Sequence, residues 1–79
     1  MRLDKFLKLS RLIKRRTVAN EACDAGRVVV NDKLAKASLN VKEGDIIEIH
    51  FGTSSVKVEV LDVAETVKKD EAKELYRYI

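Results

Sequence analysis

Residues 2–31 read RLDKFLKLSRLIKRRTVANEACDAGRVVVN, and the fold turns on where this stretch changes its period. Leu3, Phe6 and Leu7, then Leu9, Leu12 and Ile13, follow the spacing of one apolar helix face, with charges between them. The pattern predicts a helix from about Leu3 to Leu9, extendable to Leu12. After the basic stretch Lys14-Arg15-Arg16, Thr17 is a candidate N-cap. A second helix is expected from about Val18 to Ala25, burying Val18, Ala19, Ala22 and Cys23. Gly26 ends it, because glycine enters the left-handed conformation of a helix C-terminus without a Cβ clash. Beyond Gly26 the β-branched run Val28-Val29-Val30 reads as a strand.

Working outward, Asn31-Asp32 is a turn signal and Leu34-Ala35 a short second strand. Residues Val41 to Asp45 form another turn around Gly44. Ile46, Ile47, Ile49 and Phe51 mark a strand, Gly52 to Ser55 a loop, and Val56, Val58 and Val60 an alternating strand with one wet face. The tail KKDEAKELYRYI, residues 68–79, has helical composition, but a helix shorter than about 12 residues is marginal alone and must dock or fray. The expected class is α+β: two short N-terminal helices on a small bent antiparallel sheet, with a short C-terminal helix. Residues 1–62 are expected to form the domain and residues 63–79 a tail or short helix. Phe6 and Phe51 are assigned to the core.

The charge is unevenly spread. The net formal charge is only +3, yet residues 1–16 hold seven basic side chains against Asp4 alone. Residues 17–36 balance, and residues 37–79 carry six basic and nine acidic groups. A basic end joined to an acidic end points to a polyanionic partner met by one face. Arg2, Lys5, Lys8, Arg11, Lys14, Arg15 and Arg16 all lie on or between the two expected helices. Three of them converge on the turn before the second helix, whose free N–H groups and dipole also attract phosphate. Guanidinium groups suit bidentate phosphate contact and stacking on bases.

Other chemistries lack their parts. Cys23 is the only cysteine, so neither an internal disulfide nor a paired-cysteine zinc site can form. Cys23 is read as a small buried hydrophobe. His50 is the only histidine and has no nucleophile–carboxylate company. Glu43, Asp45 and Glu48 read as solvated turn charges, and no phosphate-loop glycine spacing occurs. No cofactor, metal or catalytic residue is expected. The start MRLDKFLKLS lacks the apolar core of a signal peptide, and no run reaches the roughly 18 apolar residues of a membrane span. The expected setting is cytoplasmic.

The order R-L-D-K, a basic helix–turn–helix, a glycine before V-V-V-N, and a late G-D resembles the RNA-binding domain named after small-subunit ribosomal protein four, the alpha-L motif. The match spans Arg2 to about Leu61. The resemblance implies that Arg2, Lys5, Lys8, Arg11, Lys14, Arg15 and Arg16 contact RNA, with Asn31 and Lys36 on the strand-turn side of the same face. It assigns Asp4 to ordering neighbouring cations or meeting a partner. Free-standing domains of this size resemble the RqcP (YabO) family of bacterial ribosome-associated quality control and, more distantly, the small heat-shock protein of ribosome rescue. Membership of the former implies binding to large ribosomal subunits with obstructed peptidyl-tRNA through rRNA and tRNA. It also implies work beside the RqcH-type factor that adds alanine tails, with the chain as a monomer.

Two other readings remain open at this level, one of them within the RNA-binding class. A protein adaptor would use the acidic segment that includes Glu59, Asp62, Glu65, Asp70, Glu71 and Glu74; its complexes would survive RNase. A free-standing tRNA- or rRNA-binding protein of another translation step would use the same basic face. An enzyme would need a nucleophile, base or metal that the residues do not supply.

Overall fold

The computed structural model describes residues 1–64, 72 and 74–79. Among these, α1 (Leu3–Leu9) and α2 (Arg16–Asp24) precede β1 (Val28–Val30), β2 (Lys33–Leu34), β3 (Ile46–Phe51), β4 (Ser54–Val60) and β5 (Tyr76–Tyr78). The strands form one antiparallel sheet in the order β2-β1-β3-β4-β5. The α+β expectation of two helices on a small antiparallel sheet holds.

The helices cover one face. Leu3, Phe6 and Leu7 of α1 are fully buried, as are Ala19 of α2, Val28 of β1, Ile47 of β3 and Val58 of β4. At roughly 1.5–3 kcal/mol per buried large apolar side chain, this cluster is the principal stabiliser of a short chain. α1 has seven residues and cannot persist alone; its buried face holds it. The N-terminus is also laid against the segment after β2. Leu3 N–H donates to Leu39 at 2.8 Å, Asp4 N–H to Ala37 at 3.2 Å, and Val41 N–H to Met1 at 2.8 Å.

The helix ends are closed differently. At α2, Gly26 (φ 73°) and Arg27 donate to Cys23 and Ala22, both at 3.0 Å, the paired bonds of a glycine-terminated helix. At α1 the corresponding left-handed residue is Arg11 (φ 63°), whose N–H donates to Lys8 at 3.1 Å. Buried Ser10 completes that end: its Oγ donates to Leu7 O at 3.1 Å and accepts from Leu12 N–H at 3.4 Å. An arginine with positive φ costs on the order of 1 kcal/mol. Arg11→Gly is therefore expected to raise stability by about 0.5–1 kcal/mol in urea unfolding while weakening polyanion binding. A destabilised glycine variant would show that the Arg11 stem contributes packing that outweighs its strain.

Several local expectations are corrected. α2 begins at Arg16, not after Thr17: extended Arg15 (φ −116°, ψ 134°) accepts from Ala19 N–H at 3.0 Å, so Thr17 lies inside the helix. Val18 is 46% exposed and Ala22 only half-buried, because that side of α2 borders an open cavity, while Ala19 and Cys23 stay buried. The second strand is Lys33–Leu34, because Asn31 and Asp32 both take positive φ and make a two-residue hairpin that pairs Val30 with Lys33. Phe51 shares the inward parity of Ile47 and Ile49, yet it is 46% exposed because it sits at the end of β3, where the open cavity lies between the ring and the helices. In the tail, Tyr76–Tyr78 is a strand, not a helix, with Glu59 opposite Arg77 and their side chains paired at 2.6 Å. Cross-strand pairing with β4 outweighs the weak local helix preference there. The rest of the expected tail helix, residues 65–71 and 73, lies outside the described residues.

Candidate nucleic-acid interface

The centre of the basic region is a buried acid. The side chain of Asp4, in the first turn of α1, is 3% exposed. Its Oδ1 accepts from Arg2 Nε at 3.2 Å and from Lys5 N–H at 2.8 Å, and Oδ2 lies 3.4 Å from Arg16 Nε. Asn20 Nδ2 completes the set by donating to Oδ2 at 3.4 Å. Burial alone would push the Asp4 carboxyl up. The bonds from Arg2, Arg16 and Asn20 and the Arg16 charge outweigh it, holding the carboxyl below the usual carboxylate range.

One carboxylate therefore orients two guanidinium groups without neutralising both. The Arg2 and Arg16 side chains remain 51% and 47% exposed, each with donors left for another acceptor. Arg2 enters from before α1 and Arg16 from the first turn of α2, so the cluster also clamps the two helix starts together. Lys36 joins this side. It is exposed and lines a cavity of ≈ 410 Å³ with Arg2, Asn20, Cys23, Asp24, Ala37 and Ser38.

The remaining sequence-assigned cations spread along the two helices. Lys8 lies on α1, Arg11 at its end, and Lys14 and Arg15 in the turn before α2; all four are exposed. Among the described residues none of these four has an ion-pair partner. Lys5 is half-buried, and its N–H is bonded to Asp4. The first turn of α2 holds no acidic residue, and the cations there oppose the helix dipole, at a cost of about 0.3–1 kcal/mol each that a bound anion would relieve.

Asn31 is placed elsewhere. It lines a separate cavity, and its amide is engaged: Nδ2 donates to Asp45 at 3.1 Å and Oδ1 accepts from Ile46 N–H at 3.0 Å. Its evident work is to lock the β1–β2 turn to the start of β3. Sequence reasoning missed Asn20, although Arg16 and Asn20 stand four residues apart, which is one face of a helix. Cys23, the other α2 residue beside this cluster, is 5% exposed. Burial, then the Asp4 and Asp24 charges, push its thiol up to about 11, so it stays protonated and unreactive near neutral pH. Among the described residues, no helix is long and apolar enough to cross a membrane.

This arrangement has close counterparts. Residues 1–47 match the S4 domain family. The RQC P-site tRNA stabilizing factor of Halalkalibacterium halodurans is 60% identical over 76 residues, 96% of this chain and 86% of that protein. The factor of the same name from Bacillus subtilis is 54% identical over 76 residues, 96% of this chain and 88% of the relative. The trimeric structure of Heat Shock Protein 15 from Vibrio cholerae superimposes with a TM-score of 0.91 at 30% identity, covering 100% of this chain and 81% of that one. With the helix pair, the Asp4-centred arginines and the strand order in place, the chain belongs to the S4-domain family and, within it, to the group of RQC P-site tRNA stabilizing factors.

Proposed function

We propose that the chain is a non-enzymatic RNA-binding factor of bacterial ribosome-associated quality control. It binds the large ribosomal subunit carrying obstructed peptidyl-tRNA, contacts rRNA and the tRNA, and supports alanine tailing of the stalled chain by an RqcH-type partner. The names of its relatives supply the P-site tRNA. One structural observation carries the binding mode: a single buried carboxylate aims two half-exposed arginines outward, within a surface where Lys8, Arg11, Lys14 and Arg15 are exposed. Phosphates take those donors in pairs, and Arg holds them with geometry that Lys lacks.

Arg2, Lys5, Lys8, Arg11, Lys14, Arg15, Arg16 and Lys36 form the proposed contact set. Asp4 and Asn20 position Arg2 and Arg16. Asn31 supports the strand-turn side through the backbone it ties down. Residues 1–62 carry RNA binding, and residues 63–79 are an appended tail whose β5 is stitched to β4. The factor works as a monomer in the cytoplasm.

The test is salt dependence. With about five phosphates engaged, log K for RNA falls by roughly 4 per log unit of salt, and Arg16→Ala flattens that slope by about 1. Sedimentation of tagged protein with large subunits carrying peptidyl-tRNA, compared with intact ribosomes and free tRNA, is expected to favour the first. Affinity independent of salt, or equal sedimentation with all three, would overturn this reading.

A further inference from the structure

Away from the Asp4 cluster, a second feature borders the basic turn. A cavity of ≈ 300 Å³ opens between the end of α1, α2 and the end of β3, and its wall includes Ile13, Val18, Ala22, Ile49, His50 and Phe51. Most of this lining is apolar, yet Val18 and Phe51 are each 46% exposed. The reason lies in the register. β3 carries its inward-facing series Ile47, Ile49, Phe51 to its last residue, where the open cavity lies between the ring and the helices. An aromatic ring at an inward position of a small chain is thus left half in water, an unfavourable placement without an occupant.

We propose that this cavity receives one unstacked nucleobase of the bound RNA, stacked on Phe51. The proposal rests on the RNA-binding reading above and adds a base-recognition site to a surface otherwise built for phosphate. Three observations favour a base over a protein segment. Ile13 and Val18 line the cavity and bound residues 14–17 in the chain, so the turn that carries the exposed Lys14 and Arg15 joins two of its wall residues and brings cations for the adjoining phosphates. The volume is at the lower end of small-ligand sites, about 300 Å³, which suits a planar ring. The rim supplies both polarities a base edge needs: the exposed Arg27 guanidinium donates and the exposed Glu21 carboxylate accepts. Single-stranded bases are recognised in this way, by stacking on a side-chain ring with hydrogen bonds to the base edge. A stacking contact neutralises no phosphate, so it contributes affinity without contributing to the salt slope.

The experiment uses the full chain and an RNA stem-loop with a fluorescent adenine analogue in its loop. Phe51→Leu keeps an apolar side chain but removes the ring, and Phe51→Trp restores one. Wild-type protein is expected to quench the analogue. Phe51→Leu is expected to abolish quenching and weaken binding by about tenfold with the salt slope unchanged, and Phe51→Trp to recover both. Thermal unfolding of each variant checks folding; should the leucine variant unfold, the quenching by wild type and Phe51→Trp decides the matter. Salt-dependent binding by wild type, with no quenching and no loss in Phe51→Leu, overturns the base site alone, and is the result expected if a protein side chain fills the cavity. Absence of salt-dependent binding by wild type overturns the RNA reading itself.

Discussion

Asp4→Asn is expected to lower stability by about 2–3 kcal/mol and to weaken binding of structured RNA by about tenfold, although it adds a net positive charge. The carboxylate is 3% exposed and accepts from Arg2, Arg16, Asn20 and the Lys5 N–H. An amide there turns one acceptor into a donor facing other donors. The loss stays below that of a fully buried pair because Arg2 and Arg16 are half-exposed and rehydrate. Two effects on RNA binding then compete. Net charge favours any polyanion, while loss of the common acceptor frees both guanidiniums from their shared aim. Fixed geometry wins for a folded RNA target, and the salt slope stays as steep as in wild type because the cations remain.

The same variant has a pH signature. Asp4 has a folded-state pKa below its ordinary value of 3.8, so its stabilisation is fully present well above that value and is lost as pH falls through the depressed folded value. The stability gap between wild type and Asp4→Asn in urea unfolding is therefore wide near neutrality and closes in acid. A constant gap down to about pH 2, or tighter RNA binding by Asp4→Asn, would mean that Asp4 is only a repulsive charge in the interface.

Phe6→Ala is expected to cost about 3–5 kcal/mol, which is most of the stability available to a domain of this size. Phe6 is fully buried between Leu3 and Leu7 on a seven-residue helix that owes its existence to that face. Removing the ring leaves a cavity where α1 meets the sheet. Because α1 carries Asp4, α1 and the ordered arginines should come apart in one step. Circular dichroism and RNA binding are then expected to fall together on warming, near or below 37 °C. Retention of RNA binding after loss of helical signal would show that the cations work as an unfolded basic segment, without the Asp4 clamp.

Both effects trace to features of different legibility. The apolar period of Leu3, Phe6 and Leu7, the glycine at 26 and the β-branched run after it are local signals, each acting over a turn or a strand. α1, α2 and β1 could be read from them. The basic turn and Lys36 were likewise visible as composition. What composition did not show was the partner structure: Asn20 as the fourth donor to Asp4, Asn31 spent on Asp45 and Ile46, and Phe51 left uncovered. None of these is a property of its neighbours in the chain.

The chain's own order of residues decided that two short amphipathic helices would precede a small antiparallel sheet and that positive charge would gather at the helical end. Periodicity and turn chemistry are short-range, and they act before any distant segment arrives. The assembled molecule alone decided how that charge is used. Asp4 and Arg16 are twelve residues apart, and only the packing of α1 against α2 brings the carboxylate into reach while excluding water from it. Likewise, β4 alone gives Tyr76–Tyr78 a reason to be a strand: ladder bonds to a remote partner outweigh a local helical preference that is worth little in a short segment.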